Sequence, residues 1–433
     1  MLRRPQHPWV SRYRRGVLSR RETWAVALVA TLTMTVSYVD RSTLSVLAPS
    51  VTKALDISNE AYGWLTSAFA LAYLVGAPLG GWWIDRVGAR RGLLGSLLVW
   101  SAIAGLHALA PGFVILFALR IGLGLAEGPS FPGSSQTVQR VLAPAERERG
   151  FGILFTGSSL GGMLAPLVAS WLYRLHGWRF AFLGTAAVGL VWLPLWIVVT
   201  RRARAVLDAP REQRPARRTT IAQLLRSPII QRALIGIFSV APISGFMYAW
   251  GAKFLATTHG VSQGSVGNYL WLPPLMFDTG AILFGDLASR QRRAPGVPAR
   301  GLYACAVVLA ACLALIPFAA TPWQAMVLLG LAMAGGGGQY TLVASDFLSR
   351  VPPDAVALAG GTVACAQSIA HIIMGPLVGW AIVQYSVPAL YPVGSVWLPV
   401  AHPSYTVALI ALAACAIPGA ITWLVWRVPP RLE

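Results

Sequence analysis

Apolar residues run in blocks along the whole chain, and polar residues collect between the blocks. A helix rises 1.5 Å per residue and a hydrocarbon core is about 30 Å thick, so about 20 consecutive apolar residues mark a crossing. Twelve such spans are predicted, at 23–51, 58–82, 91–110, 112–138, 148–173, 178–200, 231–258, 264–288, 300–319, 321–347, 355–384 and 404–427. Several exceed 20 residues, and tilt or extension beyond the hydrocarbon accommodates the excess. The predicted class is an all-α integral membrane protein.

The longest polar stretch, "RRARAVLDAPREQRPARRTT", divides the spans six and six. It predicts a tail and six-helix bundle over 1–200, a surface linker over 201–230 and a second six-helix bundle over 231–433. Arginines fall on alternate inter-span segments. One side holds the N-terminal tail, Arg86, Arg90 and Arg91, then Arg140, Arg147 and Arg149. It also holds the linker, Arg290, Arg292, Arg293 and Arg300, and finally Arg427 and Arg431. The other side holds mainly Lys53, Arg174 and Arg179. This positive-inside bias predicts that both termini are cytoplasmic and that the span count is even.

Composition sharpens this reading. Of 433 residues, 56% are hydrophobic and only 12% are charged, about half the share of a soluble domain. The net charge of +20 sits on alternate segments rather than on one binding face, which argues against a nucleic-acid partner. The bilayer is the expected partner. The N-terminal "MLRRPQHPWVSRYRRGVLSRRE" is basic, and the first apolar run is too long for a signal-peptide core, so it is expected to remain as a membrane anchor. The cysteines Cys305, Cys312, Cys365 and Cys415 lie in apolar spans with no CxxC pair, and the six histidines show no ligand spacing. Neither metal nor cofactor is expected. No nucleophile–base set appears, so an enzyme is not expected either.

The halves share a weak repeat. "GGWWIDRVGARR" follows the second span and "LFGDLASRQRR" follows the eighth, with Asp85 and Asp286 at matching places. Paired halves with matching signals are expected of a transporter built from repeats.

"GGWWIDRVGARR" resembles the signature of the major facilitator superfamily between its second and third spans. "YVDRSTLSV", "RIGLGLAEGPSFP", "PAERERGFG" and "GWRFAF" resemble its anion:cation symporter family, which includes bacterial sugar-acid transporters for hexuronates, galactonate and glucarate. The resemblance covers nearly all the chain and is specific mainly in the first half. It implies the major facilitator fold, with Asp85, Arg86, Arg90 and Arg91 as structural gating residues.

Charges inside the spans carry the candidate chemistry. Between Glu22 and Lys53 the only charged residues are Asp40 and Arg41. Each costs about 2.5–3.5 kcal/mol near the bilayer centre, even on gentle scales. Neighbours on a helix point about 100° apart, so these two satisfy each other poorly and each needs another partner or a wet cavity. Arg120 and Glu127 are seven residues apart and share a face of the fourth span, about 10 Å apart along the axis. The resemblance matches Asp40 and Glu127 to proton-carrying acids and Arg41 to a carboxylate-binding residue. It matches Tyr38 and Tyr73 to cavity tyrosines, and Arg120 to a cationic position in the same half. General physics agrees: a carboxyl in a low-dielectric site gains proton affinity and a nearby arginine removes it, while arginine's planar fork suits a carboxylate. A fixed structural ion network remains the alternative for all four residues.

The second half offers weaker candidates. "MYAWGAKFL" carries Trp250, a substrate-site candidate, and Lys253, which either attracts anions at an entrance or snorkels to the interface. Asp278 departs from the family pattern and either pairs with a neighbouring helix or adds a proton site. In "GGGGQYTLVASDF" the glycines suit close helix packing or a hinge, Gln339 and Tyr340 are cavity candidates, and Asp346 reads as structural. Gln367 and His371 lie four apart on one face and suit either a polar lumen or helix–helix hydrogen bonds. Where related symporters carry a glutamine in the fifth span, this chain has Ser158 and Ser159.

The expected function is proton-coupled import of a small organic anion, a sugar acid of hexuronate or aldonate type. Alternating access would carry it through a monomer in a bacterial inner membrane. An exchanger of phosphorylated or dicarboxylic anions would show counterflow without proton dependence. A drug exporter is disfavoured by the cavity arginine. A non-transporting sensor or scaffold has no reason to hold so many intramembrane charges.

Overall fold

The structure is a computed structural model that describes residues 18–209, 220–291, 299–352, 355–393 and 396–429. Ten helices are long and apolar enough to cross a membrane. One of them, Arg147–Val199, breaks at His176 and Gly177, where Gly177 takes φ +78°, and so makes spans 5 and 6. Leu272–Arg290, entered through the turn Gly267–Leu270, completes span 8. The others are span 1 (Arg20–Ala54), span 2 (Asn59–Val87), span 3 (Ala89–Leu109), span 4 (Phe113–Val141) and span 7 (Pro228–His259). Span 9 (Arg300–Phe318), span 10 (Pro322–Arg350), span 11 (Val356–Gln384) and span 12 (Thr406–Val425) complete the set. The chain is thus a multi-pass, all-α membrane protein with twelve spans among the described residues. The predicted spans place 385–403 in a connection. There, Val387–Val393 and Val396–His402 form an antiparallel hairpin that pairs Val387 with His402.

Local chemistry sets the helix ends. Ser19 and Glu22 form a capping box at span 1, Ser58 caps span 2 through Ala61 N, and Thr321 and Gln324 box span 10 behind Pro322. Span 4 breaks after Glu127, because Pro129 supplies no N–H to the ladder. The backbone there lies against span 2: a Cβ on Gly128 would collide with the Gly76 carbonyl, and one on Gly124 would lie 2.6 Å from the Phe69 carbonyl oxygen. Small residues thus let spans 2 and 4 approach closely and carry Glu127 towards span 1.

Spans 1–6 pack mainly on one another, as do spans 7–12, and the two groups meet where span 2 faces 11, span 1 faces 7 and span 5 faces 8. On the face opposite the arginine-rich loops, one apolar cluster joins both groups, with Leu47, Val51 and Tyr62 against Phe246, Trp250 and Leu255. Hydrogen bonds close the same seam, from Tyr62 Oη to Ala249 O (2.6 Å), Gln263 Nε2 to Val46 O (2.7 Å) and Gly267 N to Ser170 Oγ (3.0 Å). Towards the arginine-rich loops the apolar clusters are separate for each group. There, among the described residues, no hydrogen bond or ion pair joins the groups. Among the described residues, the two groups are closed on one face and parted on the other.

Candidate functional site

A cavity of about 270 Å³ lies between the two groups of helices, close to mid-depth. Tyr38 and Arg41 of span 1, Phe69 and Tyr73 of span 2, and Arg120 of span 4 line one wall. Tyr248 and Trp250 of span 7 and Gln367 and His371 of span 11 line the other.

Arg41 is the centre of the first wall. Its Nη2 and Nε lie 3.1 and 3.3 Å from Glu127 Oε2, which also accepts from Ser37 Oγ at 2.9 Å. The Arg41 side chain is 20% exposed to the cavity, whereas Glu127 is fully enclosed behind it. Three rings surround the guanidinium, with centroids 4.4 Å (Tyr73), 4.6 Å (Tyr38) and 4.9 Å (Phe69) from its carbon. Arg120 also lies over the Phe69 ring, 4.5 Å from its centroid, and donates to the Arg41 carbonyl oxygen at 3.3 Å. One phenylalanine ring thus contacts two guanidinium groups, each attracted by the ring quadrupole. Arg120 and Glu127, read as face-sharing, do share the neighbourhood of Arg41, but the ion pair of Glu127 is with Arg41.

Asp40 is not on the cavity wall. It is 3% exposed, and no donor meets its carboxylate at full hydrogen-bond geometry, the Trp100 indole lying within interaction range of it. Of the two adjacent charges only Arg41 meets the cavity, since a turn of about 100° sends Arg41 into the chamber and Asp40 into the bundle.

On the second wall, His371 Nε2 lies 3.2 Å from Ala241 O and 3.4 Å from Ser244 Oγ, tying span 11 to span 7. Trp250 packs edge-on to Tyr62 with centroids 5.0 Å apart. Tyr340 borders only a void of about 10 Å³, about one water molecule's worth, which Gln367 also borders. Gln339 faces away, donating to Ala306 O of span 9 at 3.4 Å. Placing Gln339 in the chamber is therefore corrected: span 10 turns that face towards span 9.

The four residues expected to gate lie at the arginine-rich ends, outside the cavity. Asp85 accepts from Gln136 Nε2 at 2.7 Å, Arg86 stacks 3.9 Å over Trp82, and Arg90 and Arg91 lie 3.7 and 3.4 Å from Asp208 at the start of the linker. Asp286, at the matching place, pairs instead with Arg290 of its own helix at 2.8 Å. Asp346 joins Arg232 and Arg350 at 2.5 and 2.6 Å. Asp278 accepts from Ser159 Oγ at 2.8 Å across the seam between spans 5 and 8. Ser37 and Phe69 were missed by sequence reasoning. Ser37 lies four residues before Arg41 and Phe69 four before Tyr73, so helical spacing from the known candidates would have found both.

Two bundles of membrane helices with one polar chamber between them, sealed on one face, form the architecture of an alternating-access transporter. The chain belongs to the major facilitator superfamily, whose family model matches residues 30–376. It is accordingly a membrane transporter and not an enzyme. It is similar to a hexuronate transporter of Escherichia coli K12, with 26% identity over 82% of this chain and 87% of that protein. It is also similar to a hexuronate transporter of Bacillus subtilis 168, with 28% identity over 74% of this chain and 75% of that one. A D-galactonate transporter of Escherichia coli O6:H1 shares 26% identity over 87% of this chain and 94% of its own length. Among solved structures, a bacterial homologue of the lysosomal transporter Spinster, inward-facing and unoccupied, superposes with a TM-score of 0.77 at 18% identity. That superposition covers 94% of this chain and 97% of the homologue, and it shows the shared fold.

Proposed function

We propose that this protein imports a small sugar acid of the hexuronate or aldonate type together with protons. The observation that carries the proposal is the shared Arg41, which faces the chamber on one side and an enclosed carboxylate on the other. When Glu127 is ionised, it engages the guanidinium and competes with any solute carboxylate. A proton on Glu127 removes that competition and leaves the planar fork free for a bidentate contact. By linkage, solute binding and proton binding then favour each other. Asp40, enclosed in the bundle without an ion-pair partner among the described residues, is the second proton acceptor. Tyr38, Tyr73, Trp250, Gln367 and His371 present rings and polar groups to hydroxyls, and Arg120 keeps the wall cationic. The relatives named for hexuronate and galactonate transport support the substrate class. The cavity lies just below the roughly 300–1,000 Å³ of drug-sized sites, in keeping with a compact solute.

The arginine-rich face is taken as cytoplasmic in a bacterial inner membrane, which makes this the inward-open state. The six-helix bundles within 1–200 and 231–433 are the bodies that rock about the chamber, and the linker 201–230 joins them. Arg90 and Arg91 tie the first body to the start of the linker, Asp85 braces span 2 against span 4, Arg86 stacks on its own helix, and none of the four takes part in binding. One chain completes the chamber, so a monomer suffices.

Energetics give the coupling a purpose. An interior-negative potential of 100 mV opposes entry of a monoanion by about 2.3 kcal/mol. One proton cancels that term and leaves the pH gradient, about 1.4 kcal/mol per unit. A second proton, on Asp40, makes entry inward-driven by the potential as well. The test is uptake of labelled D-glucuronate and D-galactonate into proteoliposomes under imposed pH gradients. An inward proton gradient should accelerate uptake, and uptake should acidify the lumen. Full-rate counterflow that ignores the gradient would establish an exchanger instead.

A further inference from the structure

We propose that Lys253 is the outer docking cation for the solute carboxylate, displayed only when the sealed face opens. This rests on the reading of the chamber as an anion path. Lys253 lies on span 7, three residues and about 4.5 Å of helix beyond Trp250 of the chamber wall, on the sealed side. It is 7% exposed. Its Nζ donates to Thr52 Oγ1 at 3.1 Å and lies 5.0 Å from the Tyr62 ring centroid. Among the described residues it forms no ion pair. An ammonium has three donors, and here one hydroxyl and one ring face answer them.

Both partners belong to the other body, Thr52 on span 1 and Tyr62 on span 2. Tyr62 itself is held to span 7 by its hydroxyl on Ala249 O and by its edge contact with Trp250. Parting the bodies at this face removes Thr52 and Tyr62 together. It leaves Lys253 bare on the vestibule wall, one turn outside the chamber. A carboxylate entering from that face then meets a cation whose charge no protein acid has neutralised. Deeper in, Arg41 offers a two-point contact that a point-charge ammonium does not, so the solute moves inward. On closure Lys253 returns to a hydroxyl and a ring, which fill the place without competing as a fixed anion would. The sealed state thus withholds the docking charge from a solute approaching the chamber from the arginine-rich face.

The experiment compares wild type, K253Q and K253R in oriented proteoliposomes, measuring D-glucuronate entry from each face. For entry from the sealed face, K253Q should raise KM about three- to fivefold, with kcat changed less, and K253R should restore most of it. Entry from the arginine-rich face should keep its KM. Wild-type KM at the sealed face should rise with ionic strength, and K253Q should lose that dependence. Equal KM shifts at both faces, or none at either, would overturn the proposal. A second arm needs no transported solute. In a background with the four native cysteines replaced by serine, K253C is treated at the sealed face with anionic and cationic thiol reagents. Reaction there, slowed when the arginine-rich face is locked open, is expected. Absence of reaction under all conditions rejects an exposed docking site. If wild type carries no carboxylate, the transport reading fails, while this arm still decides the placement of Lys253.

Discussion

Arg41 and Glu127 share one ion pair in which the cation borders the chamber and the anion does not, with Nη2 and Oε2 3.1 Å apart. Arg41 is among the residues that line the cavity and Glu127 is not. In the proposed mechanism the pair is a relay, in which the charge state of the hidden partner sets how free the visible one is.

Glu127→Gln should make carboxylate binding insensitive to pH. In wild type a proton on Glu127 releases Arg41, so affinity should fall as pH rises and Glu127 ionises. Glutamine mimics the protonated acid, and the slope should vanish while binding at low pH persists. Calorimetric titration of D-glucuronate across pH distinguishes these, and an unchanged slope in the variant would remove Glu127 from the coupling.

Stability should show the same pair. Arg41→Ala leaves Glu127 enclosed without its cation. It should destabilise the protein by an amount at or below the low end of the roughly 3–5 kcal/mol typical of breaking a buried pair, because Arg41 borders water. Adding Glu127→Gln to Arg41→Ala should recover part of that loss. Thermal unfolding of both single variants and the double variant gives the coupling directly.

Asp40→Asn should separate binding from flux. Asp40 is off the cavity wall, so equilibrium affinity for the solute should change less than threefold, about 0.6 kcal/mol. Uptake driven by a proton gradient should nevertheless collapse. Uptake equal to wild type would leave Asp40 a structural residue.

The glycine run of span 10 should respond unequally to alanine. A Cβ on Gly337 would collide with the Phe277 carbonyl of span 8, whereas one on Gly336 first meets Val240 Cγ2 at 3.5 Å. Gly337→Ala should cost about 1–3 kcal/mol and Gly336→Ala much less. Equal unfolding temperatures for the two would contradict the packing.

The spans were legible because apolar length is a crude and redundant signal. The break between spans 5 and 6 was legible as a short connection, which proves to be only His176 and Gly177. Rotation about a helix axis was legible only where several polar residues agree. Tyr38 and Arg41 fix one face of span 1 and Gln367 with His371 one face of span 11, and these four do line the chamber. Span 10 gave no such fix, since four glycines precede Gln339 and leave its facing to contacts from other spans. Asp278 shows the same limit. Its partner, Ser159, lies 119 residues away on the opposite body, and no local spacing announces it.

The most direct measurement is ligand binding to purified protein by thermal shift. D-glucuronate and D-galactonate should stabilise wild type, neutral glucose and galactose should not, and Arg41→Ala should abolish the effect while remaining monodisperse. Stabilisation by neutral sugars equal to that by the acids, or acid binding that survives Arg41→Ala, would contradict the account.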